Sequence, residues 1–262
     1  MSNEQKKYLR KIKMEKYIVM FIQIFIVLLF FGLWEYASIN KIINPFIFSS
    51  PSKIYQTIIT LYQTGDLFIH ILTTLKEIVI AFTLGIGIGF IVAIILYEFK
   101  MVAKIIDPFL TMLNSLPKVA LGPIIIIWAG ANTKSIIIMA LLINLIVSII
   151  NIYNGFLGTD KNMLKLFQSF GASRFQILTK LVIPSARRTI ISSLKLNISM
   201  TLIGVIMGEF LVSKRGIGYL IIYGTQIFNL NIVMAGILIL VIISFIIYKL
   251  ISIIENILLK RK

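Results

Sequence analysis

The stretch that decides the fold is Thr159–Arg188, TDKNMLKLFQSFGASRFQILTKLVIPSARR, a charged segment between two long apolar runs. In an otherwise very hydrophobic chain, this segment places polar residues in an ordered pattern. Asp160 can cap a helix over about residues 161–170, because its side chain accepts from free backbone N–H groups. Gly171 would end that helix, since glycine adopts the left-handed conformation without a steric penalty.

A second short helix is predicted directly after this glycine. Ser173 can cap it, and Gln176, three residues later, completes a capping-box pattern. Pro184 is expected to end or redirect this helix. The segment therefore predicts a rigid helix–turn–helix that projects from a membrane, which would suit it to docking a soluble partner. The alternative is an amphipathic helix pair lying on lipid headgroups.

The composition indicates that lipid is the solvent of most of the chain. Of 262 residues, 58% are hydrophobic and 14% are charged, with a mean hydropathy of +0.97. A soluble domain usually carries about 25% charged residues. The 26 basic residues outnumber the 10 acidic ones. They flank apolar runs, which favours the positive-inside rule over nucleic-acid binding.

The sequence offers no catalytic or metal-binding constellation. It has no cysteine and one histidine, His70. It also lacks a phosphate-binding loop, a paired-carboxylate site and a Ser/His/Asp arrangement. We therefore expect neither an enzyme nor a resident metal or cofactor, which disfavours a membrane-embedded enzyme.

Six segments are long and apolar enough to span a bilayer, which needs about 20 residues per helix. They are Tyr17–Trp34, Leu72–Tyr97, Ile105–Trp128, Ser135–Phe156, Thr189–Val212 and Asn231–Ile254. The third contains Pro108, Pro117 and Pro123, so we expect it to be bent or broken and to lie inside the bundle. The fold class predicted is an all-α polytopic membrane protein.

Charge asymmetry predicts the orientation of these spans. Seventeen of the 26 basic residues fall on the side of the N-terminus and five on the opposite side. Both termini are thus expected in the cytoplasm. Residues 1–262 would form one transmembrane domain. Within it, residues 1–16 are a basic cytoplasmic tail, residues 44–71 an external interfacial segment, and residues 159–188 a cytoplasmic loop.

Polar side chains within the spans are the candidates for a translocation path. A charge at mid-bilayer costs about 2.5–3.5 kcal/mol on insertion scales, so such residues need a reason. The candidate lining residues are Asn114, Ser115, Lys118, Asn144, Ser148, Asn197 and Glu209. The alternative is that these side chains form hydrogen bonds between helices.

A stripe of small residues marks one face of the second span. Ala81, Gly85, Gly89 and Ala93 recur every four residues, and positions four apart share a helix face. Such a stripe predicts close approach of another helix.

Three segments resemble a known family. Gly171-Ala172-Ser173-Arg174, then Leu181-Val182-Ile183-Pro184, then Gly208-Glu209-Phe210-Leu211 are similar to permease subunits of binding-protein-dependent ABC importers. The family loop has Glu-Ala-Ala, three residues, Gly, nine residues and Ile-x-Leu-Pro. Gly171 and Pro184 match this pattern. Lys165-Leu166-Phe167 stand where the family has Glu-Ala-Ala, so the family's contacts of the acidic residue are not carried over to this chain.

The resemblance implies a six-span permease of the type I importer fold in a prokaryotic plasma membrane. Two copies would work together as a homodimer. An external solute-binding protein would deliver solute, and a cytoplasmic ABC ATPase would hydrolyse ATP. The coupling residues carried over are Lys165, Gly171, Ala172, Ser173, Arg174 and Pro184.

Other segments resemble the nitrate, sulfonate and taurine branch of the family, including Ser50-Pro51-Ser52, residues 116–123 and residues 216–220. This resemblance implies a small solute, with sulfonate, taurine or nitrate as candidates. A thiamine precursor is an alternative within the same family. An ion-coupled secondary carrier is the alternative from another class.

Overall fold

The computed structural model describes residues 3–260, except for the side chains of residues 3–7, 9 and 260. Residues 1–2 of the predicted basic tail, and the C-terminal Arg261 and Lys262, lie outside the described residues. All regular structure within the described range is helical. The helices are α1 (Asn3–Ile39), α2 (Pro45–Phe48), α3 (Pro51–Gln63), α4 (Asp66–Glu98), α5 (Lys100–Ser115), α6 (Gly122–Ala129), α7 (Thr133–Leu157), α8 (Lys161–Ser169), α9 (Arg174–Ile177), α10 (Ile183–Val212), α11 (Ile217–Gln226) and α12 (Leu230–Lys260).

The predicted all-α polytopic fold is confirmed. Five helical stretches in the described part of the chain are long and apolar enough to cross a membrane: residues 10–39, 66–98, 133–157, 174–212 and 230–259. The third predicted span is a bent pair. Its halves, α5 and residues 118–129, meet at 90°. Pro117 lies at the bend, where its missing N–H and fixed φ disfavour a continuous helix.

The core of the bundle is formed by α4, α7 and α10, which pack at very short range. A Cβ atom added at Gly204 of α10 would lie 2.5 Å from the Cα atom of Ala140 in α7. One added at Gly89 of α4 would lie 2.6 Å from Ser148 Oγ. Ala81, Gly85, Gly89 and Ala93 are all buried. The predicted close approach along the small-residue stripe is therefore confirmed.

The first helix is attached at one end. None of the 18-residue apolar window of α1 is buried within the chain. The predicted basic tail, from Asn3 onward, is helical and continuous with this span. Near the other end, Glu35 accepts hydrogen bonds from the Ser52 backbone N–H (3.0 Å) and hydroxyl (2.7 Å). These bonds join α1 to α3, which begins within the Ser50-Pro51-Ser52 motif with Ser50 as its N-cap.

The two ends of the bundle are distinguished by the segments that lie there. The loop end contains residues 158–173, and the turn end contains residues 213–216, which connect α10 to α11. The two ends are opposite each other because α4, α7 and α10 each run from one to the other.

Candidate functional site

The helix–turn–helix at the loop end has the local structure that its sequence predicts. Asp160 Oδ1 accepts from the Asn162 N–H at 2.8 Å and starts α8. Gly171 has φ +72°, the left-handed region, and the Ala172 N–H returns to the Phe167 carbonyl at 3.0 Å. This conformation allows a sharp reversal directly after α8.

The capping box at the second helix is also present. Ser173 Oγ accepts from the Gln176 N–H at 3.3 Å, and Gln176 Oε1 accepts from the Ser173 N–H at 2.8 Å. The two bonds satisfy N–H groups that a helix start leaves free. The turn between α8 and α9 is therefore fixed on both sides by hydrogen bonds that involve backbone N–H groups.

The helix does not end at Pro184, so the prediction of an end at this residue was wrong. Residues 178–182 form a π-helical turn, in which the Ile183 N–H bonds to the Leu178 carbonyl. The wider turn accommodates the proline ring, and Pro184 lies in the first turn of α10, where its missing N–H costs least. Residues 174–212 consequently form one long helical stretch.

This loop rests on an apolar seat made by the ends of two spanning helices. Ile177, Leu178, Leu181 and Val182 are buried against Ala93 of α4 and against Ile152 and Phe156 of α7, with Ala172 partly buried at the margin. Burial of aliphatic and aromatic side chains is the dominant stabilising term in such contacts. Thr159 adds hydrogen bonds to Ser185 (3.0 Å) and the Phe156 carbonyl (2.9 Å). The loop is thus joined firmly to α4, α7 and α10.

The tip of the loop is exposed and carries two aromatic rings. Phe170 is 79% exposed and Phe175 is 73% exposed, on either side of the turn. Lys165, Gly171, Ser173 and Arg174 are also exposed, and Ala172 is half-buried. The sequence interpretation missed the two phenylalanines. The available signal was their position, since Phe170 and Phe175 flank the turn at Gly171–Arg174 in a segment predicted to project from the membrane.

The structure places the predicted lining residues at three separate sites. Asn114 and Ser115 are exposed and Lys118 is half-buried, all at the bend between α5 and α6. Lys118 Nζ donates to the Asn114 carbonyl at 3.1 Å, and Ser115 Oγ donates to the Met112 carbonyl at 2.9 Å. These local bonds hold Lys118 against Asn114 and satisfy the Ser115 hydroxyl group within α5.

Asn144, Ser148 and Asn197 lie instead in the interface between helices, and each is fully buried. Asn144 Nδ2 donates to Thr201 Oγ1 at 2.7 Å and to the Ala81 carbonyl at 3.3 Å. Asn197 Nδ2 lies 3.5 Å from Ser148 Oγ. These side chains join α4, α7 and α10, as the interhelical alternative expects, and face no open path within this chain.

Glu209 is the centre of a buried network at the turn end. It is 1% exposed and accepts from Thr74 Oγ1 at 2.6 Å and from the Gly218 N–H at 2.5 Å. The Thr74 hydroxyl itself accepts from the Ile217 N–H at 2.8 Å. Gly216 has φ +108°, and a Cβ atom there would overlap the Glu209 carboxyl group. The Gly208–Leu211 and Gly216–Leu220 motifs are therefore two halves of one structure.

His70 completes this network on α4. Its Nδ1 accepts from the Gly216 N–H at 3.0 Å, so the ring fixes the turn after α10. Lys195 forms an ion pair with Glu255 that joins α10 to α12, the one ion pair among the residues 3–260 whose side chains the structure describes. Within the same range no three His, Cys, Asp or Glu side chains cluster as metal ligands.

Comparison with known proteins is consistent with this geometry. Residues 85–262 match the family described as "binding-protein-dependent transport system inner membrane component". The chain is 28% identical over 187 residues to the formylaminopyrimidine transport permease protein of Halalkalibacterium halodurans, covering 71% of this chain and 74% of that one. It is 24% identical over 217 residues to the taurine transport system permease protein of Escherichia coli K12, covering 81% and 78%.

A solved structure shares the fold. The chain matches an inward-facing conformation of the MetNI methionine ABC transporter with a TM-score of 0.63 and 18% identity, over 71% of this chain and 92% of that chain. At this identity the match concerns the arrangement of helices alone.

Proposed function

Because this chain belongs to the family of binding-protein-dependent transport system inner membrane components, we propose that residues 159–188 are the surface through which a cytoplasmic ATPase moves it. The chain is a multi-pass membrane permease subunit of an ABC importer, and its family is a transport subunit, not a catalytic one. Its own part of the cycle is to bind the ATPase and to open a path for solute. ATP would be used by the partner.

The observation that supports coupling most is the contrast between the tip and the seat of the loop. The exposed tip, with Phe170, Phe175, Lys165 and Arg174, offers apolar and basic contacts to a soluble partner. The seat is buried against α4, α7 and α10. A displacement applied at the tip therefore moves these helices together, because a packed interface does not absorb it.

The orientation follows from the same assignment. We place the loop end in the cytoplasm of a prokaryote, at the plasma membrane, with the turn end outside. The distribution of basic residues supports this, since Lys161 and Lys165 lie at the loop end and Arg174 and Lys180 follow it in the chain. An extracytoplasmic solute-binding protein would then dock at the turn end.

We further propose that a second copy of the chain covers the bend between α5 and α6. Asn114, Ser115 and Lys118 occupy an exposed surface flanked by apolar residues such as Phe109 and Trp128. Lipid tails offer no hydrogen bonds to such groups, so they are better placed along a path between two copies. Asn144, Ser148, Asn197 and Glu209 would contribute to the path by keeping the helices in register behind it.

The solute proposed is a small polar molecule with an anionic group, with sulfonate, taurine and nitrate as candidates. Lys118 supplies a basic group at the proposed path, and the taurine permease is among the relatives. The formylaminopyrimidine permease keeps a thiamine precursor as the alternative within the family.

The coupling assignment is tested with Gly171→Val and a matched control. Gly171 (φ +72°) and Gly65 (φ +80°) are both left-handed, and an added Cβ at either would contact no atom within 4 Å. Valine at both positions carries the same backbone strain. In proteoliposomes with the partner ATPase and binding protein, we expect Gly171→Val to lose ATP-driven uptake and ATPase co-purification while Gly65→Val keeps both.

Two results would refute the proposal. Full coupling in Gly171→Val would mean that the loop is not the docking surface. Solute accumulation by this chain alone, driven by an ion gradient without ATPase, would favour an ion-coupled carrier.

A further inference from the structure

Two buried carboxyl groups meet at the turn end. Glu77 of α4 and Glu209 of α10 are each 1% exposed. Their side chains lie within hydrogen-bond reach of each other, and Thr133 at the start of α7 is the other polar side chain beside Glu77. Two ionised carboxylates offer only acceptors, so a hydrogen bond between these two groups requires one proton.

The two carboxyl groups differ in the donors that surround them. Glu209 accepts from Thr74 Oγ1 at 2.6 Å and from the Gly218 N–H at 2.5 Å. No N–H group of the described residues donates to Glu77. Donors that point at a carboxyl group stabilise its ionised form, whereas burial without such donors favours the neutral form. The geometry therefore puts the proton on Glu77, whose O–H group donates to an ionised Glu209.

The charged side chains around this pair are all exposed. They are Asp66 and Lys76 on α4, Lys134 on α7, and Lys214 and Arg215 in the turn after α10. None of the four cations forms an ion pair with a carboxyl group whose side chain the structure describes. His70 is occupied by the Gly216 N–H through Nδ1. Because water and salt screen exposed charges, a second negative charge in the buried pair would have no close compensation.

A cavity of about 410 Å³ gives Glu77 access to the solution at the turn end. It opens between α4, the start of α7 and residues 212–215. Its wall includes Glu77 but not Glu209. A water molecule occupies about 30 Å³ in the liquid, so the cavity has room for several. A proton on Glu77 can therefore exchange with the solution through this cavity.

The pair lies where several helices are held together. Glu77 belongs to α4 and Glu209 to α10, and Glu209 also binds the Gly218 N–H at the start of α11. The packing is tight, since a Cβ atom at Gly218 would lie 2.9 Å from Glu209 Oε2. Removing the proton would leave two adjacent negative charges in a buried site, where their repulsion is strong. They can separate only if α4 moves away from α10 and the turn.

We propose that Glu77 and Glu209 share one proton, which locks the turn end to α4 and exchanges with the solution through the cavity. With the proton bound, α4, α10 and α11 are held together. Loss of the proton releases the turn end. The inference rests on the proposed function in one respect, because that function places the turn end outside. The permease would then respond to the acidity of the external medium.

Infrared spectroscopy of the full chain in an ester-free detergent detects the proton directly. At about pH 6.5 exposed carboxyl groups are ionised, so the parent should show the C=O band of one protonated carboxyl group per chain. Glu77→Gln should remove this band. Glu209→Gln should also remove it, because the new amide can donate to an ionised Glu77. Asp66→Asn, at an exposed carboxylate of the same helix, should leave the band unchanged.

Two spectroscopic results would overturn the shared proton. One is the absence of the band from the parent. The other is its persistence in either glutamine variant, because a proton that needs only one of the two glutamates is not shared between them.

The thermal midpoint tests the lock. The folded pair keeps its proton at pH values where unfolded glutamates have lost theirs, so the folded chain binds more protons and its stability falls as the pH rises. Between about pH 5 and 7, the midpoint of the parent should fall more steeply than that of Glu77→Gln, by on the order of 2–4 °C per pH unit. His70 is present in both chains, so its contribution cancels. Parallel curves would refute the lock.

Glu209→Gln takes the place of Glu77→Gln in this comparison if the latter does not fold. The same difference in slope is expected, because either substitution removes the shared proton. Parallel curves for the parent and Glu209→Gln would again refute the lock.

Spin labels test the release of the turn end. The sequence contains no cysteine, so Lys134→Cys and Lys214→Cys place one label on α7 and one on the turn. Raising the pH from about 6 to about 9, the range in which buried glutamates can lose a proton, should lengthen the distance between the labels. The same pair of labels with Glu77→Gln should show no change. An unchanged distance in the parent background would overturn the release.

ATP-driven uptake distinguishes this inference from the proposed function. If the chain imports solute with its ATPase but shows no protonated carboxyl band, the shared proton is refuted and the importer function stands. If the band and the slope of the midpoint are as expected but no ATP-driven uptake occurs with the ATPase and binding protein, the importer function is refuted and the carboxyl pair stands.

Discussion

Substituting alanine for Gly204 of α10 and for Gly87 of α4 should have opposite effects on the stability of the chain. A Cβ at Gly204 would lie 2.5 Å from the Cα and 3.1 Å from the Cβ of Ala140, so α7 and α10 must separate. A relaxed carbon–carbon contact is about 3.5–4.0 Å, which requires a shift of roughly 1 Å. Overpacking of this kind costs about 1–3 kcal/mol. At Gly87 of α4, an added Cβ meets nothing within 4 Å, and alanine is favoured over glycine in a helix by about 0.5–1 kcal/mol.

Thermal unfolding of the purified chain in detergent measures the difference. We expect Gly204→Ala to lower the thermal midpoint and Gly87→Ala to raise it or leave it unchanged. The free energies of unfolding of the two variants should differ by about 1.5–4 kcal/mol. Gly204→Val should be worse than Gly204→Ala, because a larger side chain enlarges the required separation. Equal midpoints for the two alanine variants would refute the close packing of α7 on α10.

Three further predictions concern side-chain networks. Glu209→Ala removes two hydrogen bonds and leaves the buried Gly218 N–H without an acceptor, so stability measured by thermal unfolding should fall by about 2–5 kcal/mol. Lys195→Glu should lower the thermal midpoint slightly, and adding Glu255→Lys should restore most of the loss, because the swap regenerates the ion pair. Ser173→Ala should loosen the loop by about 1 kcal/mol and speed its hydrogen exchange without changing the global midpoint.

Each of these has a control or a contrary result. Glu15→Ala, on an exposed face of α1, should leave the midpoint unchanged. An equal loss of stability in this variant would show that the effect of Glu209→Ala does not come from its buried hydrogen bonds. A double charge swap as unstable as Lys195→Glu alone would show that the ion pair is not the contact that matters. Ser199→Ala has only an intrahelical bond to lose, and it should not change exchange in the loop.

The features that follow from local rules could be predicted from the sequence. Asp160, Gly171 and the Ser173–Gln176 box depend on backbone groups within four residues, and the structure has all of them. The spans depend on length and hydropathy, and the bend at Pro117 depends on a missing donor. The effect of Pro184 was predicted wrongly because a proline can either end a helix or be accommodated within it. A π-helical turn absorbs the proline ring and lets the helix continue.

The positions of the polar side chains could not be predicted in the same way. A polar residue in a span carries no local sign of whether it faces a path or another helix. Asn144 and Ser148 are four residues apart, as are Gly85 and Gly89 opposite them, and this matched spacing was the signal for an interface. The contact of Glu209 with Gly216 and Gly218 depends on a turn that only the folded chain defines.

The uninterrupted helix from Arg174 to Val212 has a mechanical consequence. At about 1.5 Å per residue, its 39 residues make a rod of roughly 58 Å that joins the two faces of the membrane through covalent bonds. Tilting such a rod by about 5° about one end carries the other end through about 5 Å, comparable to one helical turn. A small rotation at one end of this helix is therefore carried to the other end by the helix itself, with no relay of side chains needed along the way.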